Sequence, residues 1–127
     1  MFDNTWRWAG KFRQHQTNIG CEPYLINTKL SQLLSDINYY IEHQTYEFEE
    51  IAIRLHHGLV LIHCFPNGNG RHARMMADLL LVKNHYKRLS WGSANIIAEG
   101  EKRSKYIAAL KKADNHDFSE LISFAKT

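Results

Sequence analysis

The strongest constraint on this chain is a break. Pro66-Asn67-Gly68-Asn69-Gly70 separates two apolar stretches, and no continuous helix runs through such a string. Before it, residues 51–62 carry apolar side chains at helical spacing. After it, Met75-Met76-Ala77-Asp78-Leu79-Leu80-Leu81-Val82 is almost wholly apolar and reads as a buried central helix. The chain must turn tightly between them, with backbone positions open to φ > 0. A glycine-rich turn entering a helix leaves backbone N–H groups at the positive end of the helix dipole, where a phosphate is well accommodated.

The side chains around the turn agree with that. Arg71 and Arg74 are three apart and share a face over the first turn of the second helix. Two guanidiniums at a helix N-terminus are disfavoured by the dipole, so they fit an anion with several oxygens better than surface salt bridging. His63 stands at the other lip, where its imidazole takes up a proton near neutral pH. Taken alone, a helix-end histidine would simply interact with the C-terminal dipole. Facing a phosphate cradle, it reads as a general base for group transfer from a nucleotide.

In chain order, Trp6-Arg7-Trp8-Ala9-Gly10 reads as a short helical or turn segment stopped by glycine. Residues 11–26 show no helical period and hold Gly20 and Pro23. An irregular connection and a short hairpin both fit them. Asn27-Thr28 starts a helix whose Leu30, Leu33, Leu34, Ile37, Tyr40 and Ile41 face the core. Thr45 caps the next one, with Glu47, Glu49 and Glu50 in its favoured first turn. Trp91-Gly92 marks a turn, and residues 93–113 give one or two helices interrupted at Gly100. Asp117-Phe118-Ser119-Glu120 has capping-box spacing before Leu121, Ile122 and Phe124. The basic residues Lys102, Arg103, Lys105, Lys111 and Lys112 read as a solvated face.

At 127 residues the chain suffices for one domain with its own core, and its 44% hydrophobic and 23% charged residues are ordinary for a globular protein. No stretch is long enough to span a bilayer and the first residues are no signal peptide, so a cytoplasmic location is expected. Cys21 and Cys64 form no C-x-x-C pair and are expected as reduced thiols. A net charge of +3 suits a nucleotide ligand but does not point to nucleic acid. Eight histidines raise the question of a metal hydrolase. There is no H-E-x-x-H and no carboxylate adjacent to His63 or His72. His56 and His57 are therefore expected as one packed and one exposed helix residue.

The string from His63 to Arg74 resembles the signature of Fic domains, His-Pro-Phe-x-(Asp/Glu)-Gly-Asn-Gly-Arg-x-x-Arg. His63, Phe65, Gly68, Asn69, Gly70, Arg71 and Arg74 match it; Cys64 replaces the usual Pro and Asn67 the usual acidic residue. Trp8, Ala9, Gly10, Lys11 and Arg13 resemble a second string of the same family, which a helix normally precedes. The expectation is thus a single Fic-like domain over residues 1–127, lacking an N-terminal helix. Its fold would be all-α, a helical bundle around a central buried helix with a short β-hairpin flap. The Pro-Asn-Gly-Asn-Gly-Arg-His-Ala-Arg version of the signature resembles that of the mobile mystery protein B branch, which would make Asn67 a subfamily feature.

The resemblance implies protein adenylyltransfer: AMP passes from ATP to a Tyr, Thr or Ser hydroxyl of a target protein. His63 is then the base, Gly68, Asn69, Gly70, Arg71 and Arg74 the phosphate site, and Phe65 the loop's anchor. Thr17, Asn18, Ile19 and Gly20 fall in the flap that would hold the target's chain by strand addition. Mg²⁺ or Mn²⁺ would accompany ATP, its hold weakened because Asn67, acting through a water, offers an amide oxygen in place of a carboxylate. Two alternatives remain: a nucleotide-binding regulatory module with little turnover, and Fic-type transfer of another phosphate-containing group. Gly68-Asn69-Gly70-Arg71 favours nucleotidyl transfer, since Doc-type kinases of the family typically replace these glycines. The family's inhibitory motif is (Ser/Thr)-x-x-x-Glu-(Gly/Asn), and Glu99-Gly100 approaches it with Asn95 at the Ser/Thr position. That mismatch leaves three alternatives: silencing by a preceding segment, by a separate antitoxin-like chain, or none.

Overall fold

The computed structural model describes residues 21–63, 68–93 and 99–127. A 3₁₀ turn at Pro23–Leu25 leads into five helices: α1 Ile26–His43, α2 Phe48–Ile62, α3 Asn69–Lys83, α4 Glu99–Asp114 and α5 Ser119–Lys126. The protein is mainly α, with no strand among the described residues. The flap expected at Thr17, Asn18, Ile19 and Gly20, the tryptophan string and Cys64 lie outside them.

Helix α1 begins one residue before the expected Asn27-Thr28 start and has no side-chain cap. Pro23 sets up the preceding turn, and burial of Ile26 against Ile62 fixes the entry of the helix. Leu34, expected inside, is exposed, because Ile37 with Leu30, Leu33, Tyr40 and Ile41 already fills the inward stripe. At the other end Gln44 takes a left-handed conformation (φ 51°). Its N–H reaches the Ile41 carbonyl and the Thr45 N–H reaches Tyr40, the paired bonds of a Schellman motif. Thr45 therefore closes α1 rather than capping α2. Glu47 occupies the N-cap of α2, again without a side-chain bond, while Glu49 and Glu50 sit in its first turn.

Among the described residues the most buried helix is α2, not α3 as expected. Ile51, Ala52, Ile53, Leu55, His56, His57, Leu59 and Ile62 are all buried, and α2 packs on α1, α3 and α5. The α1 side depends on Gly58, where a Cβ would stand 2.5 Å from Leu33 Cδ1. Helix α3 buries one stripe only, Asn69, Ala73, Ala77 and Leu81, each four residues from the last, with Val82 exposed. The small side chains of Ala73 and Ala77 let α2 lie close.

Helix α4 runs through Gly100 without interruption, since Gly100 falls in its first turn. Before α5, Asp117 Oδ1 accepts the Ser119 N–H (3.2 Å) and hydroxyl (2.7 Å), so the expected Asp cap forms in part. Glu120 does not turn back to complete a capping box; it pairs with Lys112 of α4. Leu121, Phe124 and Ala125 close the core with Ala109, Ala113 and Phe118, and Ile122 packs against it. No helix among the described residues is long and apolar enough to cross a membrane.

Candidate functional site

His63 ends α2 in a left-handed conformation (φ 57°, ψ 62°), its N–H bonded to the Leu59 carbonyl at 3.0 Å. That C-terminal position normally suits Gly or Asn; a side chain with a Cβ there costs about 1 kcal/mol. The half-buried imidazole is thus held where the chain leaves the core. Gly68 supplies the second left-handed residue (φ 74°) as N-cap of α3, and its carbonyl accepts the His72 N–H at 2.9 Å. No side chain caps this helix. Phe65 and Asn67 lie outside the described residues.

From this N-terminus a cavity of about 830 Å³ opens toward α4. Gly70, Arg71 and Arg74 line it from α3, Trp91 from the following turn, and Arg103 and Tyr106 from α4. A Cβ on Gly70 would meet nothing within 4 Å, so no protein neighbour demands glycine there. Arg71 and Arg74 do share one face and one cavity, as expected. Gly68, Asn69 and His63 do not line it: Asn69 is buried beneath, and His63 and Gly68 stand on either side of the turn.

Sequence reasoning missed the opposite wall. Among the described residues, Arg88, Lys102 and Arg103 bring the cations around the cavity to five, against the carboxylates of Asp78 and Glu99. Asp78 is occupied with the Leu89 N–H (3.4 Å) and Trp91 Nε1 (3.3 Å), and Glu99 with Lys102 (3.3 Å). A net positive wall results, at the end of a helix that already favours anions. Lys102 and Arg103 read as a solvated face because nothing in their local spacing ties α4 to a turn some thirty residues earlier.

Arg74 is the most constrained of these cations. Its Cζ lies 4.9 Å from the Tyr106 ring centroid and 5.7 Å from that of Trp91. Its Nε is buried without a hydrogen-bond partner among the described residues. Behind it, the Tyr106 hydroxyl is 2.6 Å from Nε2 of His56, and the His56 ring lies 4.4 Å from that of Trp91. Burial, and then the Arg74 charge, push the His56 pKa down to about 3. Burial also lowers His72, and it raises Tyr106 against the opposing pull of Arg74.

Neither histidine of the adjacent pair is exposed: His56 is 0% and His57 8% accessible. The tertiary fold also brings together a His–Asp pair far apart in the chain, with His57 Nε2 and Asp114 Oδ1 2.8 Å apart. No group of three or more metal-ligating side chains occurs among the described residues.

The sequence model described as the Fic/DOC family matches residues 1–81. The chain belongs to the Fic/DOC family. This Fic/DOC chain is 29% identical over 119 residues to protein adenylyltransferase fic-1 of Caenorhabditis briggsae. It is 30% identical over 132 residues to protein adenylyltransferase Fic of Drosophila willistoni. Each alignment covers 91% of this chain and 22% of the relative, so the chain spans about a fifth of those proteins. Two solved structures of Fic-1 from C. elegans superpose with TM-scores of 0.72 and 0.68 at 25% identity. They cover 98% of this chain and 36% of theirs.

Proposed function

We propose that this Fic/DOC domain transfers AMP from ATP to a Tyr, Thr or Ser hydroxyl of a target protein. The observation that carries the reading is the cavity at the α3 N-terminus, where Arg71 and Arg74 stand beside a helix end with no side-chain cap. Such a site takes a polyphosphate through backbone N–H groups and guanidiniums together. The relatives named protein adenylyltransferase support the choice of AMP as the group moved.

In this reading His63 removes the hydroxyl proton, the oxygen attacks the α-phosphorus in line, and pyrophosphate leaves. The backbone of Gly68, Asn69 and Gly70 and the two arginines receive the charge that shifts to the leaving group. A left-handed His63 backbone, resisted by its Cβ, fits a residue kept for its side chain rather than for its fold. Asn67 would hold Mg²⁺ or Mn²⁺ through a water, and the ion would neutralise phosphate charge. Thr17, Asn18, Ile19 and Gly20 are the segment assigned to docking the target's chain. Glu99 pairs with Lys102 rather than with Arg74, and a separate antitoxin-like chain is the proposed restraint on the site.

The test is incubation of the full chain with lysate, Mg²⁺ or Mn²⁺, and ATP labelled at either the α- or the γ-phosphate. Label from the α-position on protein, lost in His63→Ala, is the expected result. Label from the γ-position would mean phosphate transfer instead. ATP binding without label under either metal would overturn transfer in favour of a binding module.

A further inference from the structure

We propose that Tyr106 and His56 are positioning residues, a buried hydroxyl–imidazole pair that orients the Arg74 guanidinium in the cavity before any ligand arrives. The inference rests on the polyphosphate reading of that cavity. Its warrant is the polarity of the chain of groups. Tyr106 has one proton and two lone pairs to place. Arg74 is only a donor, and its guanidinium lies over the Tyr106 ring, with Cζ 4.9 Å from the centroid and close enough to draw the phenol's pKa down. A proton turned toward that cation would be repelled, and His56 Nε2 lies 2.6 Å from the hydroxyl. Enclosed and close to a guanidinium, His56 remains neutral, so Nε2 keeps its lone pair and accepts. One arrangement orders the three groups: Tyr106 turns its lone pairs toward Arg74 and gives its proton to His56 Nε2, and the imidazole carries its own proton on Nδ1.

Each group comes from a different helix: His56 from α2, Arg74 from α3, Tyr106 from α4. The pair is itself held, since His56 is fully buried against Trp91 and the Tyr106 ring sits 5.6 Å from that of Phe124. An arginine flanked by two aromatic faces has lost much of its rotamer freedom in the empty protein. Less is then lost when an anion binds. The hydroxyl need not touch the ligand for its removal to be felt.

Calorimetric titration of the full chain with ATP and with adenosine tests this, using wild type, Tyr106→Phe, Arg74→Ala and the double variant. Phenylalanine keeps the ring and removes only the hydroxyl. The expected result is ATP binding about tenfold weaker in Tyr106→Phe, adenosine binding unchanged, and no further effect of Tyr106→Phe once Arg74 is gone. Equal ATP affinity in Tyr106→Phe, a parallel loss of adenosine, or the same loss on the Arg74→Ala background would each overturn the positioning role. Should Tyr106→Phe not fold, His56→Leu and His56→Gln serve instead. Leucine should weaken ATP binding, and glutamine, whose amide oxygen can accept the hydroxyl proton, should restore much of it; equal affinities would overturn the role. A wild-type chain that binds no ATP would fail differently, overturning the nucleotide reading and the pair's role with it.

Discussion

The His57 imidazole meets the Asp114 carboxylate at 2.8 Å, tying the middle of α2 to the last residue of α4. His57 is buried and Asp114 is nearly half exposed, so little of the bond's worth is charge attraction. Its value is that a buried N–H donor has a partner. Asp114→Ala should destabilise the fold by about 1 kcal/mol, read as a lower urea midpoint at unchanged slope. ATP binding should be unaffected, because Asp114 does not line the cavity.

Gly58 marks the closest approach of α1 to α2. An alanine methyl there would sit 2.5 Å from Leu33 Cδ1 and 2.8 Å from Cδ2, so the half-buried leucine must move out of its place. Gly58→Ala should cost about 1–3 kcal/mol despite its better helix propensity. The double variant Gly58→Ala with Leu33→Ala should lose less than the sum of the two single changes in the same denaturation measurement.

Gly70 is the opposite case. Beside it is open cavity, so Gly70→Ala should leave the fold intact or raise its stability by up to about 1 kcal/mol. If the cavity receives phosphate, the added methyl occupies the approach to the backbone. ATP affinity should then fall at least about tenfold while the melting temperature holds or rises. Loss of stability together with affinity would contradict this account.

His56 makes the fold sensitive to acid. Its pKa is about 3 in the folded protein against 6.5 for the free group. Between those values the unfolded chain binds a proton that the folded chain refuses. Its contribution is therefore fully present above about pH 6.5 and is lost as pH falls toward 3, at up to about 1.4 kcal/mol per pH unit. His72, also lowered by burial, acts in the same direction. Unfolding free energies from urea denaturation at pH 7 and pH 5 should differ by about 2 kcal/mol in the wild type. The difference should be clearly smaller in His56→Gln, which cannot titrate.

Local signals were legible wherever a residue's role depended on its chain neighbours. The turn around Gly68, the helices on either side and the apolar face of α5 follow from φ preference and periodicity. Where two local rules competed, packing chose between them. Thr45 has the chemistry of an N-cap, yet its backbone closes α1. Gly100 has the chemistry of a break, yet α4 begins just before it and absorbs it in the first turn. Asp117-Phe118-Ser119-Glu120 kept its Asp contact but lost its glutamate to Lys112, eight residues back on another helix.

Sequence alone established the family signature, the helical class and the pairing of Arg71 with Arg74 on one face, because each is set by residues within a few positions of one another. Only the tertiary structure decided that α2 is the most enclosed of the described helices and that His56 and His57 are both buried. It also decided that Tyr106, Trp91 and Arg103 share a cavity with those arginines. These facts depend on side chains brought together across fifty residues or more, as between His56 and Tyr106 and between His57 and Asp114. Spacing along the chain carries no record of such meetings; burial and the need to satisfy buried donors and acceptors create them.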